Sequence, residues 1–249
     1  MPITLAHPAA ILPLGRLGLP MAVLIAGSMV PDIPLFMGWL RGYQVTHSLL
    51  GVLVIDVALA IGVVVLWYVV VRDALADMAP PQIRSRLAER ARPTSREWLL
   101  APVAACLGAT THVLWDAFTH PARWGPRHIE WLRIEHAGLS GLKWVQYVSG
   151  IVGLAIVAWA LVNHLRSLEP LARTRPPPAL PLTVLPTVVV ISVLVGLASS
   201  AVMARKGLHA MAFFGVVNGL IAVAALGMLA CAAWHVARYF RTCSAGSMR

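Results

Sequence analysis

Residues 98 to 120 read WLLAPVAACLGATTHVLWDAFTH, and this stretch decides the fold. From Trp98 to Thr111 it carries no charge, and from Trp98 to Phe118 it is long enough, at 1.5 Å per helical residue, to cross a hydrocarbon core of about 30 Å. Only toward its end do ionisable groups enter, as His112, Asp116 and His120. Their spacing of i, i+4, i+8 stacks all three on one helical stripe, with neighbouring side chains about 5–6 Å apart. An apolar span that ends in two imidazoles around a carboxylate implies both a membrane helix and a reason to carry polar groups into it.

Four further stretches have the same length and character: Ser48 to Val71, Trp144 to Leu165, Leu182 to Ala204 and Ala210 to Trp234. The chain of 249 residues is 59% hydrophobic and 12% charged, about half the charged share of a soluble domain. The fold class is therefore all-α, a polytopic membrane helical bundle with about five full spans. An N-terminal short helical hairpin precedes them. The runs Ala9 to Leu14 and Pro20 to Val30 are too short to span, Gly15-Arg16-Leu17-Gly18 supplies a turn, and Pro31-Asp32-Ile33-Pro34 ends the second run. Residues 5 to 31 then dip into the bundle and return, placing His7 and Asp32 at the same membrane face. Irregular backbone at that depth has to be buried in protein.

Composition divides the chain into a metal-site membrane domain over residues 1–165 (hairpin plus three spans), a Pro/Arg-rich cytoplasmic linker over 166–181, and two additional spans with a basic tail over 182–249. The net charge is +10, but the cations gather in loops and form no basic stripe interleaved with aromatics, so no nucleic-acid partner is expected. The arginines of 72–97, those of the linker including Arg173 and Arg175, and Arg238, Arg241 and Arg249 of the tail fall on one side if the spans alternate. The positive-inside rule makes that side cytoplasmic and puts the histidines on the extracytoplasmic face. The opening residues lack a basic segment ahead of an apolar core, which predicts no removable signal peptide. Cys106, Cys231 and Cys243 have no paired spacing and read as packing residues.

His47 opens the first full span, antiparallel to the span that ends at His120, so the entry of one lies beside the exit of the other. Asp32 and His7 can reach the same place. The predicted metal ligands are thus His7, Asp32, His47, His112, Asp116 and His120. Ionisable groups inside a membrane are costly, a few kcal/mol each, and a set of them without function is hard to account for. Imidazole with carboxylate and no thiolate suits zinc, manganese or iron, with zinc first. One or two ions are expected. Such a site activates water and polarises a phosphoryl or carbonyl oxygen, and a pair of ions about 3.5–4 Å apart clamps the attacking and leaving oxygens, which points to hydrolysis.

The loop from Thr119 to Lys143 adds Arg123, Arg127, Arg133, His128 and His136 around Trp124 and Trp131. Guanidinium forks match phosphate oxygens, so Arg123 and Arg127 are expected to grip an anionic small-molecule or lipid substrate, and His136 to serve as an acid or an additional ligand. With Asp116 these make the predicted catalytic set. Asp56, Asn163, His164 and Asn218 read as helix–helix hydrogen-bonding residues, and Trp39, Trp98, Trp144 and Trp234 as interface belt residues.

His7, the Pro31-Asp32 turn, Arg41-Gly42 followed by Thr46-His47-Ser48, and His112-x-x-x-Asp116 together resemble the bacterial membrane-bound metal-dependent hydrolases. The Thr4-Leu5-Ala6-His7-Pro8-Ala9 opening resembles a related membrane family of unknown function. Both are distantly similar in motif order to zinc-dependent phospholipase C and the single-strand-specific fungal nucleases, which are helical enzymes with a three-zinc cluster. The resemblance implies that Asp32, His47, His112 and Asp116 share one metal, with Asp116 bridging to a second that also takes His7. It covers roughly residues 3 to 150. The chain departs from it at Leu40, where the membrane hydrolases carry a His, and at His136, which has Ser140 and not Glu four residues on. The soluble enzymes also use their N-terminal amine, for which this N-terminus offers no obvious match. The rival expectation, from a different class, is a noncatalytic metal-binding membrane protein or a transporter. The chain's one short hairpin has no partner in the second half, whereas transporters pair such elements.

Overall fold

The computed structural model describes residues 4–172 and 175–246; Arg173 and Arg249 lie outside the described residues. The chain is helical almost throughout. Five helices are long and apolar enough to cross a membrane: Gly51–Met78, Ser95–His128, Gly141–Ser167, Val184–Lys206 and Leu208–Cys243. Leu99, Leu197, Val202 and Leu229 are among the many large aliphatic side chains left exposed, as lipid-facing positions require. By packing, the chain forms two compact units, one of residues 1–65 and 93–164, the other of 66–92 and 165–249.

In the first unit the N-terminal hairpin is present, built of a 3-10 turn Thr4–Ala6, a short helix Pro8–Ile11, a 3-10 segment Leu12–Leu17 and a helix Met21–Gly27. Gly18 closes the turn at φ 72°, a left-handed conformation that glycine adopts without strain. The Thr4 hydroxyl donates to Asp32 Oδ2 at 2.6 Å, so the hairpin's two ends meet as its reading required.

The hairpin lies directly on the second span. That helix runs Ser95–Thr119 and starts earlier than hydropathy suggested, because Thr94 and Glu97 form a reciprocal cap: Glu97 N–H donates to Thr94 Oγ1 at 3.2 Å and Thr94 N–H to Glu97 Oε2 at 2.7 Å. Its buried face is Ala101, Ala104, Ala105, Gly108, Ala109, His112, Asp116 and Thr119. The first part of this stripe has almost no side chain. A Cβ on Gly108 would stand 2.5 Å from the Leu24 carbonyl oxygen, and one on Gly27 2.4 Å from that of Ala105. The two helices therefore touch backbone to backbone, as small residues allow between membrane helices.

After Asp32 come the short helix Ile33–Phe36 and the helix Leu40–Thr46. Thr46 Oγ1 donates to the Pro31 carbonyl at 2.7 Å, tying the end of this helix to the hairpin. Ser48 Oγ accepts from Gly51 N–H at 3.0 Å and opens the first span. That span has two π-helical turns, Gly51–Ile55 and Trp67–Val71. The third span is fixed to the second by Gln146 Nε2 donating to the Thr119 carbonyl (3.1 Å) and Trp115 Nε1 donating to Ser149 Oγ (3.1 Å).

In the second unit, helices Val184–Met203 and Leu208–Gly246 form an antiparallel hairpin with Gly196 packed on Gly215 and Gly219. Asn218 Nδ2 donates to Ser199 Oγ at 3.1 Å, the helix–helix bond expected of it. Trp234 departs from its expected place in the interface belt. It is 2% exposed, within a core of Ala74, Met78, Ala230 and Cys231, and its indole N–H donates to Asp77 Oδ2 at 2.8 Å. A half-buried carboxylate on a facing helix makes the interior the better place for an amphipathic indole. The polar segments meet here: Arg84 Nη2 donates to Asp77 Oδ1 (2.7 Å) and to the Pro176 carbonyl (2.6 Å), and Arg238 pairs with Glu89 at 3.2 Å.

Candidate metal centre

Asp116 sits where the four segments of the first unit converge. Its Oδ2 lies 3.3 Å from His47 Nε2 and 3.5 Å from His112 Nε2; its Oδ1 lies 3.2 Å from His120 Nδ1 and 3.6 Å from His7 Nε2. Asp32 Oδ1 is 3.5 Å from His112 Nε2. Asp32, His47, His112 and Asp116 offer one ligand atom each, all within 4.8 Å of one another and all buried. This group can hold a metal ion.

The protonation pattern is set by the backbone. His112 Nδ1 is 2.8 Å from the Ser28 carbonyl and His47 Nδ1 is 2.9 Å from the Tyr43 carbonyl. A carbonyl oxygen only accepts, so each Nδ1 carries a hydrogen and each ring turns its Nε2 inward, where a lone pair would be available to a bound metal. Each Nε2 faces carboxylate oxygens at 3.3–3.5 Å, which requires a positive charge between them, carried by a metal ion or by a proton on Nε2. Fixing one imidazole nitrogen on a carbonyl while the other points at a metal is the usual outer-shell arrangement of a histidine ligand. Buried atoms without a hydrogen-bond partner also concentrate here: Asp32 Oδ1, His112 Nε2, His120 Nε2 and both ring nitrogens of His7. Buried polar atoms rarely stay unpaired, and the donor set fits a divalent ion such as zinc.

His7 stacks on His112, with ring centroids 3.8 Å apart. Burial, aided by His112, pushes its pKa down to about 3, leaving it neutral with a lone pair to give. Although burial alone would raise Asp32, His112 and the Thr4 hydroxyl outweigh it and hold the carboxyl below its ordinary value. All six predicted ligands thus come together, with Asp116 between the Asp32, His47, His112 group on one oxygen and His7 with His120 on the other. Removal of the Thr4 hydroxyl tests the support of Asp32: Thr4→Val is expected to weaken metal binding about tenfold in competition with a chromophoric chelator.

The loop residues are less closely placed. Arg123 stands 5.9 Å from the Tyr43 ring, and the Tyr43 hydroxyl donates to Asp116 Oδ2 at 3.4 Å, so Arg123 is one side chain removed from the cluster. Arg127 is exposed. His136 lies flat on Trp131 (4.5 Å), with Nε2 3.0 Å from the Trp131 carbonyl, in a two-strand hairpin turned by Ala137 and Gly138. Its ring contacts lie within the loop, its carbonyl accepts from Trp144 Nε1 at 2.6 Å, and among the described residues it makes no contact with the cluster. Asp56, expected to bond a neighbouring helix, is fully buried with both oxygens unpartnered.

Sequence reasoning missed Tyr43, Thr4 and the Ser28 carbonyl. Tyr43 had a signal, since it lies four residues before His47 and therefore on the same helical face. Burial and Asp116 raise its pKa above the ordinary phenol value, which keeps the hydroxyl a donor.

The family model described as a domain of unknown function, DUF4184, matches residues 1–233. The chain belongs to that family. No curated protein and no solved structure matches it. The family's description names no activity, so a functional reading has to come from the site. The match extends past the third span and takes in most of the second unit as well.

Proposed function

We propose that the chain is an integral membrane metal-dependent hydrolase acting on a phosphoester or lipid-like anionic substrate at the membrane surface. The observation that carries this reading is Asp116 set between four imidazoles, two of them anchored through Nδ1 so that their Nε2 atoms face carboxylates. Asp32, His47, His112 and Asp116 would hold one ion; His7 and His120, on the other Asp116 oxygen, would complete a second. Zinc is the first candidate. When bound, such ions lower the pKa of water toward neutrality and act as Lewis acids on a phosphoryl oxygen.

The chain's own residues supply position and charge. His120 is less buried than the other ligands, with its side chain 14% exposed, and Tyr43 beside it is only partly buried, so substrate approaches from this side. There the Tyr43 hydroxyl can turn from Asp116 to a substrate oxygen, and Arg123 stands behind its ring. Arg123 and Arg127 bring the positive charge that a phosphate requires. We assign His136 to shaping the loop through Trp131. By the loop charges, the site faces the extracytoplasmic side of a bacterial inner membrane. A reporter inserted near Gly138 tests that face.

The test is to purify the protein in detergent, measure its metal content, and assay an aryl phosphodiester and a phospholipid with and without chelator. Bound transition metal and chelator-sensitive hydrolysis are expected. A wild-type protein without metal ends the proposal, and metal uptake into proteoliposomes without hydrolysis replaces it with transport. Acidity offers a second check. Protons compete for imidazole lone pairs, so bound metal is expected to be kept near pH ~7.5 and lost on acidification, read as metal retained after desalting.

A further inference from the structure

The second unit contains a cavity of about 330 Å³ lined by Arg84, Ser85 and Arg175 with Leu171, Pro178 and Leu182 among its apolar walls. Its two arginines differ in one respect. Arg84 is neutralised, since its Nε and Nη2 both reach Asp77 Oδ1, at 3.2 and 2.7 Å. Arg175 meets no carboxylate within ion-pairing distance among the described residues. It is instead held by backbone, with Nη1 on the Ala76 carbonyl at 3.4 Å and Nη2 on that of Leu87, and its buried Nε has no partner.

The nearby acids are occupied. Asp77 Oδ2 accepts from Ala179 N–H (2.9 Å) and Trp234 Nε1 (2.8 Å), and Glu89 pairs with Arg238. A guanidinium fixed by two carbonyls, partly desolvated and beside a second guanidinium, is a charge in want of an anion. Burial and Arg84 both press its pKa below the ordinary arginine value, in keeping with an excess of positive charge. Ser85 adds a hydroxyl, which now donates weakly to the Gln82 carbonyl (3.2 Å) and is free to rotate.

We propose that this cavity binds the phosphate of an anionic ligand, with an anionic phospholipid headgroup as its first source. Phosphate presents the oxygens that arginine forks and a hydroxyl match. The lipid source is favoured by the walls, because Leu171, Pro178 and Leu182 are apolar and Leu182 lies two residues before the Val184–Met203 helix. That puts the cavity at the border between polar loop and apolar span, where basic pockets take lipid headgroups. The site shares no residue with the metal centre and does not depend on its activity.

The experiment titrates the full-length protein in detergent with short-chain phosphatidylglycerol, phosphatidylcholine or inorganic phosphate, following thermal unfolding and lipid adducts in native mass spectra. Phosphatidylglycerol is expected to raise the unfolding temperature and to be retained, and phosphatidylcholine to do neither. Arg175→Gln is expected to weaken retention about tenfold, as loss of a charged hydrogen bond does. Because Arg175→Gln also releases two carbonyls, Leu182→Trp serves as a second variant that fills the cavity and leaves every charge in place; it is expected to abolish retention. Stabilisation by inorganic phosphate that Arg175→Gln removes supports the phosphate site and moves its source to solution. Equal retention of both lipids, or unchanged retention in both variants, overturns the proposal.

Discussion

Asp116→Asn is expected to empty the metal centre while leaving the helices in place. The two Asp116 oxygens are the shared contact of four imidazoles, at 3.2–3.6 Å, whereas Asp32 is within ion-pairing distance of His112 alone among the described residues. An amide of the same shape has no charge, and its NH2 end offers no lone pair. Loss of a supporting hydrogen bond around a metal weakens binding about 10–100-fold, so loss of the bridging carboxylate is expected to exceed about 100-fold. Hydrolysis is expected to fall with it. The apoprotein keeps its circular dichroism, because the substitution also removes the repulsion between Asp116 and the Asp32 carboxylate. Metal analysis of detergent-purified wild type and variant decides the matter, and an unchanged metal content in the variant would remove Asp116 from the site.

Gly108→Val is expected to destroy the same centre without touching a ligand. Any Cβ at residue 108 would stand 2.5 Å from the Leu24 carbonyl oxygen and 2.8 Å from Ser28 N, both backbone atoms that cannot swing aside. The hairpin has to move away from the second span. Ser28 is the residue whose carbonyl holds His112 Nδ1, and Asp32 follows it four residues on, so the displacement breaks the tautomer lock and separates the two carboxylates. Overpacking of this kind costs about 1–3 kcal/mol, and more where backbone is the obstacle. Gly62→Val is the control, since nothing lies within 4 Å of a Cβ placed at residue 62. A thermal unfolding curve and a metal assay on both variants are expected to separate them clearly. Equal metal binding by Gly108→Val and wild type would show that hairpin contact does not set the site.

Much of this was legible in the sequence for a physical reason. Membrane helices satisfy their own backbone and need only length and apolarity, both of which are local properties, so the five spans could be found from hydropathy, with their ends placed to within about ten residues. The His112, Asp116, His120 stripe was equally local, because helical periodicity alone sets which side chains share a face. The convergence of His7, Asp32 and His47 on that stripe took one further step, the antiparallel order of spans around a short hairpin. Helix ends were less legible. The second span begins at Ser95 because of a cap at Thr94 and Glu97, which hydropathy does not weigh.

What the sequence determined by itself is a chain of apolar helices with a set of imidazoles and carboxylates that a bilayer would not otherwise tolerate. Only the tertiary structure decided how those groups are used. The Ser28 and Tyr43 carbonyls choose which nitrogen of His112 and His47 faces the carboxylates. Trp131 draws His136 into its own loop, and Asp77 draws Trp234 out of the interface belt and into a core. Each of these depends on a contact between residues whose approach is set by packing, and main-chain carbonyls carry no mark in a sequence of side chains.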